Sequence, residues 1–178
     1  DWKETVDGVA GLNPEHVSCY SLKIEEGTPF GEMLERGEIS QAEDELDREM
    51  YYYVKEKLTN KGMKHYEISN FAYPGFECKH NLIYWKAEEY IGIGAGSHSY
   101  INGERYNNVY DICSYIKEVK NDRIPLENIE RIDMQDRLSE FVILGLRLTE
   151  GISTLEFREK FGCDISDVYG RQLTELTE

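Results

Sequence analysis

Between Tyr66 and Ile101 lies the chain's one glycine-alternating run, Gly92-Ile93-Gly94-Ala95-Gly96-Ser97-His98. In an extended strand the period of two places Gly92, Gly94, Gly96 and His98 on one face, and Ile91, Ile93 and Ala95 on the other. A face made of three glycines has no side-chain cover, so another backbone, or something flat, lies directly against it. Upstream, Tyr66 to Phe71 is rich in aromatic and β-branched residues and stops at Pro74-Gly75, which reads as a second strand. The segment between the two reads as irregular and carries Cys78, His80, Asn81, Tyr84 and Trp85.

The flanks alternate helix and strand signals. Trp2, Val6, Val9 and Ala10 share a helical face that stops at Gly11, and His16 to Ile24 reads as a strand. Ser40 with Glu43 forms a capping-box pattern ahead of Leu46, Met50, Val54 and Leu58, a stripe closed by Gly62. The adjacent Tyr51, Tyr52 and Tyr53 fall on different helical faces and read as packing. Asn102-Gly103 reads as a turn. Asn107 or Asn108 then caps a helix with Val109, Ile112, Ile116 and Val119 inward. Residues 121–132, with Pro125, read as a linker. Asp133 opens a helix carrying Leu138, Phe141, Val142 and Leu146 up to Gly151. Ser153 with Glu156, and then Ser166, start two more.

The expected organisation is an α/β part over 1–120, with parallel βα units, the linker at 121–132, and a helical domain over 133–178. Three short helices in that order suggest a truncated winged-helix-like module. Three strands are too few to close a barrel, so an edge strand around Val17 to Leu22 is expected to be open to pairing with another copy.

Composition narrows the function. A net charge of −15 lacks the basic patch that phosphates require and opposes an anionic membrane. No apolar run approaches the roughly 20 residues of a membrane span. The four cysteines, Cys19, Cys78, Cys113 and Cys163, share no metal-type spacing and suggest no disulfide framework, which points to a reducing cytoplasm.

Several runs together carry a family resemblance. Glu67-Ile68-Ser69-Asn70-Phe71-Ala72, Cys78-x-His80-Asn81-Leu82-x-Tyr84-Trp85 and Gly92-x-Gly94-x-Gly96-Ser97-His98-Ser99 resemble the oxygen-independent coproporphyrinogen III oxidase family of radical SAM proteins, nearest its haem chaperone branch. Tyr20-Ser21-Leu22, Glu26-Gly27-Thr28 and Gly145-Leu146-Arg147-Leu148-x-Glu150-Gly151-Ile152 agree. The family's CxxxCxxC motif is absent from these residues. The resemblance implies the last βα units of an open, TIM-like radical SAM barrel followed by the helical domain. It also implies a full-length protein that binds a [4Fe-4S] cluster and SAM and acts in porphyrin metabolism. That protein would bind haem and deliver it to haem-accepting proteins, or oxidatively decarboxylate coproporphyrinogen. The chain alone is then expected to be inactive. A non-enzymatic acidic interaction module is the alternative from another class.

Imidazole is a common axial ligand to haem iron, and nearby rings cover a flat macrocycle. Against that, a loop histidine often bonds a backbone carbonyl. In the haem chaperone branch a His-Asn-x-x-Tyr-Trp motif is associated with haem binding, and His80, Asn81, Tyr84 and Trp85 match it, with His80 as the implied iron ligand. The strand matching Gly92 to His98 flanks the SAM site in the family, which implies contact near Gly92, Gly94 and His98. The same glycines do not make a dinucleotide loop, because GxGxxG leading into a helix is not met. Cys78 and His80 lack the second pair a structural zinc needs. His16 and His65 read as structural. Glu25 and Glu26 sit at a strand end, facing substrate or solvent.

Overall fold

The computed structural model describes residues 1–177. The chain divides into two compact units, Asp1–Cys78 and Lys79–Glu178.

In the first unit α1 (Trp2–Gly11) begins on a capping box at Asp1, whose carboxylate accepts from the Lys3 and Glu4 amides. Its Val6 and Ala10 pack with Val54 and Leu58 of α3 (Asp44–Asn60), Met63 and Phe71 to form the core. The expected Ser40–Glu43 box does not form. The helix starts at Asp44 behind Glu43, which makes no side-chain cap bond. Asp44, Glu45 and Asp47 instead fill the first turn, where carboxylates meet the positive end of the helix dipole. The apolar stripe is core only in its second half: Val54 and Leu58 are buried, whereas Leu46 is 51% exposed. The first half faces an open groove of about 710 Å³ walled by Trp2, Tyr20, Leu22, Met50 and Phe71.

The sheet of this unit has the order β1-β3-β2, from β1 (His16–Ser18), β2 (Lys64–Glu67) and β3 (Asn70–Ala72), and is antiparallel throughout. The parallel pairing expected of βα units is therefore not found. A two-residue turn joins β2 to β3, and so short a connection permits only antiparallel strands. The single strand expected over Tyr66 to Phe71 is this hairpin. Its turn is fixed by Glu67, whose buried carboxylate accepts from the Ser69 amide at 3.0 Å and from Asn70 Nδ2. The strand expected over His16 to Ile24 is reduced to His16–Ser18, extended only by a Cys19 amide bond to Ser69 at 2.8 Å. Beyond that point its partner has turned away. α2 (Pro29–Glu35) is capped by Thr28, whose Oγ1 accepts from the Gly31 amide at 3.1 Å.

The second unit opens with α4 (Lys79–Trp85) and contains an antiparallel sheet of β4 (His98–Ile101), β5 (Glu104–Asn108) and β6 (Leu126–Arg131). Asn102 and Gly103 join β4 to β5 with φ of 52° and 75°, the left-handed pair that a tight hairpin turn needs. Much of the expected linker is strand: β6 pairs Leu126 with Asn108 and Arg131 with Glu104. It completes hydrogen bonds that β5 would otherwise leave open. Asn107 and Asn108 end β5 and cap nothing. α5 (Ile112–Lys120) is capped by Asp111, which accepts from the Ser114 amide at 2.7 Å. The expected inward stripe of α5 is not buried, since Ile112, Ile116 and Val119 are 65%, 44% and 48% exposed.

The helices that follow pack as a group. α6 (Met134–Gly145) starts at Asp133, as its cap predicts, but stops at Gly145, well before Gly151. α7 (Thr154–Phe161) starts on Ser153 and ends on Gly162 at φ 74°. α8 (Ile165–Thr177) begins ahead of Ser166, with the Asp164 amide bonded to the Asp167 carboxylate at 3.0 Å. Leu138, Phe141 and Phe157 make the core, the two rings edge-to-face at 5.8 Å.

Candidate functional site

The segment carrying His80 is helical, not irregular. In α4 the spacing of four puts His80 and Tyr84 on one face, with Asn81 and Trp85 on the next. The exposed His80 ring meets Tyr84 edge-on at 4.8 Å. Tyr84 meets Tyr90 in the same way at 4.6 Å, and Tyr90 lies 6.5 Å from Tyr100. Tyr90 and Tyr100 are brought together by reciprocal backbone hydrogen bonds. The Arg105 guanidinium sits 5.6 Å from the Tyr100 ring and holds Glu140 of α6 in a two-pronged bond at 2.9 and 2.8 Å. His80 thus ends a row of rings anchored to α6. Burial pushes the Tyr90 phenol up, and the Arg105 charge opposes it.

Among the described residues no hydrogen bond ties His80 to a backbone carbonyl, so its ring nitrogens are open to a ligand. Tyr84 stands edge-on beside the imidazole on the same face of α4. Trp85 is placed differently. Its ring is covered by Arg147, 4.2 Å from the ring centroid. Tyr90, Tyr100, Arg105 and Glu140 escaped the sequence reading, since no period links them; only the pairing across β4 and β5 brings them into line.

The glycine run is a loop. Gly94 and Gly96 have φ of 111° and 69°, which no alternating strand allows. A Cβ on Gly92 would lie 2.2 Å from the His98 carbonyl oxygen, and one on Gly96 would lie 2.8 Å from the Tyr110 ring. The chain itself packs directly on Gly92 and Gly96, whereas Gly94 has open space around it. Asn108 organises the loop: its Nδ2 donates to the carbonyls of Gly94 at 2.9 Å and Gly92 at 3.4 Å, and to Ser97 Oγ at 3.0 Å. The Gly92 amide goes to Ser99 Oγ, that of Gly94 to the Tyr115 hydroxyl and that of Gly96 to Val109 O. His98 is exposed, and its Nε2 lies 3.2 Å from the Tyr110 hydroxyl.

The other histidines are tied inside the first unit. His16 Nε2 is 2.9 Å from the Tyr66 hydroxyl, and His65 stacks on Phe71 at 4.6 Å. Glu25 pairs with Lys23 at 3.0 Å in an exposed turn. Among the described residues no three His, Cys, Asp or Glu side chains are grouped to hold a metal ion, and no helix is long and apolar enough to cross a membrane.

Comparison with known proteins gives concordant matches. Residues 132–178 match the HemN C-terminal domain family. Over 98% of its length the chain is 38% identical to the heme chaperone HemW of Lactococcus lactis subsp. lactis (strain IL1403), covering 45% of that protein. Over 99% of its length it is 36% identical to the heme chaperone HemW of Bacillus subtilis (strain 168), covering 46%. The chain therefore spans a little under half the length of these curated relatives. In fold it is similar to coproporphyrinogen III oxidase (HemN) from Escherichia coli, described as a radical SAM enzyme. The TM-score is 0.67 at 17% identity, over 96% of this chain and 42% of that one.

Proposed function

Because the chain belongs to the coproporphyrinogen oxidase-like family that includes HemN and the heme chaperones HemW, we propose that it is part of a radical SAM haem chaperone and that it holds haem at α4. The observation that carries this reading is the exposed His80 imidazole, standing edge-on to Tyr84 at the end of a row of rings. In its neutral form that ring offers a nitrogen lone pair to iron. Tyr84 and Tyr90 offer apolar ring surface beside it, and Asn81 is one residue along the same helical turn. Haem is cargo here, to be passed to haem-accepting proteins.

In this reading the helices α6, α7 and α8 act with α4 inside the second compact unit. A [4Fe-4S] cluster needs clustered cysteine thiolates. Cys19, Cys78, Cys113 and Cys163 do not supply them, so cluster and SAM chemistry belong to residues outside this chain. With the Gly92, Gly94 and Gly96 amides engaged internally and Gly92 packed against the His98 carbonyl, SAM contact in this reading is by close approach to the open side of Gly94, with Gly92 shaping the loop and His98 supplying a ring nitrogen. Cysteines of this kind suit a reducing cytoplasm.

The test is a haem titration of the chain followed in the Soret band. His80→Ala is expected to weaken binding at least about tenfold, or roughly 1.4 kcal/mol. His98→Ala is expected to leave it nearly unchanged, and metal-free porphyrin to bind wild type and His80→Ala alike. Equal haem affinity in wild type and His80→Ala would remove the ligand assignment.

A further inference from the structure

Residues from the C-terminal helical segment reach back to α4 at two points. The first is the stack of Arg147 on Trp85 at 4.2 Å. A flat guanidinium on an indole combines attraction with a restraint on ring orientation. The Trp85 Nε1 is buried with no hydrogen-bond acceptor among the described residues, so packing and this stack hold the ring. Gly145 keeps the approach close: a Cβ there would lie 3.0 Å from Ile152 Cγ1 and 3.9 Å from the Trp85 carbonyl oxygen.

The second point is Lys160 of α7. Its Nζ donates to the carbonyl oxygens of Ala87 at 2.8 Å and Lys86 at 3.2 Å. These lie just past the end of α4, where carbonyls run out of intrahelical donors. The ammonium also lies 5.2 Å from the Phe141 ring centroid, which ties it to the core of the unit. α4 itself spans only Lys79–Trp85 and buries none of its residues fully. So short a helix has little stability of its own, and its place is set by what grips it.

We infer that Arg147 and Lys160 are positioning residues for the haem-binding face: they clamp the C-terminal end of α4 and so fix the direction in which His80 presents its ring. The inference rests on the haem reading above, and goes beyond it by making the helical segment part of the site.

The test uses the full 178-residue chain with Arg147→Ala, Lys160→Met, Lys160→Arg and His80→Ala. Haem affinity and the Soret band are read together. Trp85 emission is read without haem in a Trp2→Phe background, since the chain has two tryptophans. Arg147→Ala and Lys160→Met are expected to weaken haem about tenfold, as loss of an orienting partner does at metal sites. They should also alter the Soret band, and Arg147→Ala should shift the Trp85 emission. Lys160→Arg is expected to recover wild-type behaviour. Wild-type affinity and Soret band in both Arg147→Ala and Lys160→Met, with His80→Ala impaired, would overturn the clamp and leave the haem assignment standing. Weaker binding with an unaltered Soret band in Lys160→Met, not recovered by Lys160→Arg, would overturn it too, as general loosening. If His80→Ala also matches wild type, both readings fall. Should Arg147→Ala fail to fold, Lys160→Met decides alone.

Discussion

At Gly92 a methyl group would stand 2.2 Å from the His98 carbonyl oxygen, inside any real contact distance. Gly92→Ala is therefore expected to cost about 2 kcal/mol through forced backbone movement, whereas Gly8→Ala, with open space around it inside the helix α1, should be neutral or slightly stabilising. Urea denaturation of both variants checks this, and equal midpoints would contradict it. Asn108 supports the same loop with one amide shared among Gly94, Gly92 and Ser97, and Asn108→Ala should cost about 1 kcal/mol by removing three part-buried hydrogen bonds, the Gly94 carbonyl keeping its bond from Ser97. The cysteines differ by burial as well. Burial pushes the Cys19 thiol above its ordinary 9.0, while Cys113 is exposed. A raised pKa means that the protonated thiol is the form that fits the fold. The stability it contributes is full below about pH 9 and is lost as pH rises through the shifted value. Iodoacetamide at pH 8 should therefore label Cys113 first and Cys19 last, as read by mass spectrometry; the reverse order would contradict the burial.

The helices differ in how much of each amphipathic stripe reaches a core. In α3 the four apolar positions look equivalent in sequence, yet Leu58 is 2% exposed and Leu46 is 51% exposed. Leu58→Ala should cost about 2–5 kcal/mol and Leu46→Ala far less, so thermal unfolding midpoints that moved equally would contradict this division. What could be read from the sequence follows from range. Caps that act within one turn, at Asp133 and Ser153, were legible, as was the Asn102-Gly103 hairpin. The β2–β3 hairpin was not, because its turn is made by the Glu67 carboxylate reaching Ser69 and Asn70 in a stretch that otherwise alternates like one strand. β6, with the sequence Leu-Glu-Asn-Ile-Glu-Arg, shows no apolar alternation and is a strand through its pairing to β5. His80, Asn81, Tyr84 and Trp85 all fall on α4. Their helical setting was masked by Pro74-Gly75 just upstream, and the row from Tyr90 to Glu140 depends on pairing between separate segments.

At the scale of the molecule, acidity and open edges oppose each other. β1 is an edge of its sheet, as the order β1-β3-β2 leaves it, and such an edge recruits another strand. A net charge of −15 repels a second copy, and salt screens that repulsion. We expect self-association that strengthens with ionic strength in sedimentation velocity runs; a monomer at high concentration in both low and high salt would contradict it. The proposed haem site rests on one exposed histidine, His80, on the short helix α4. Electron paramagnetic resonance of the ferric haem complex reads a histidine–iron bond without relying on affinity. Wild type and His98→Ala should share one histidine-ligated signal that His80→Ala lacks, and an unchanged signal in His80→Ala would show that the iron is held elsewhere.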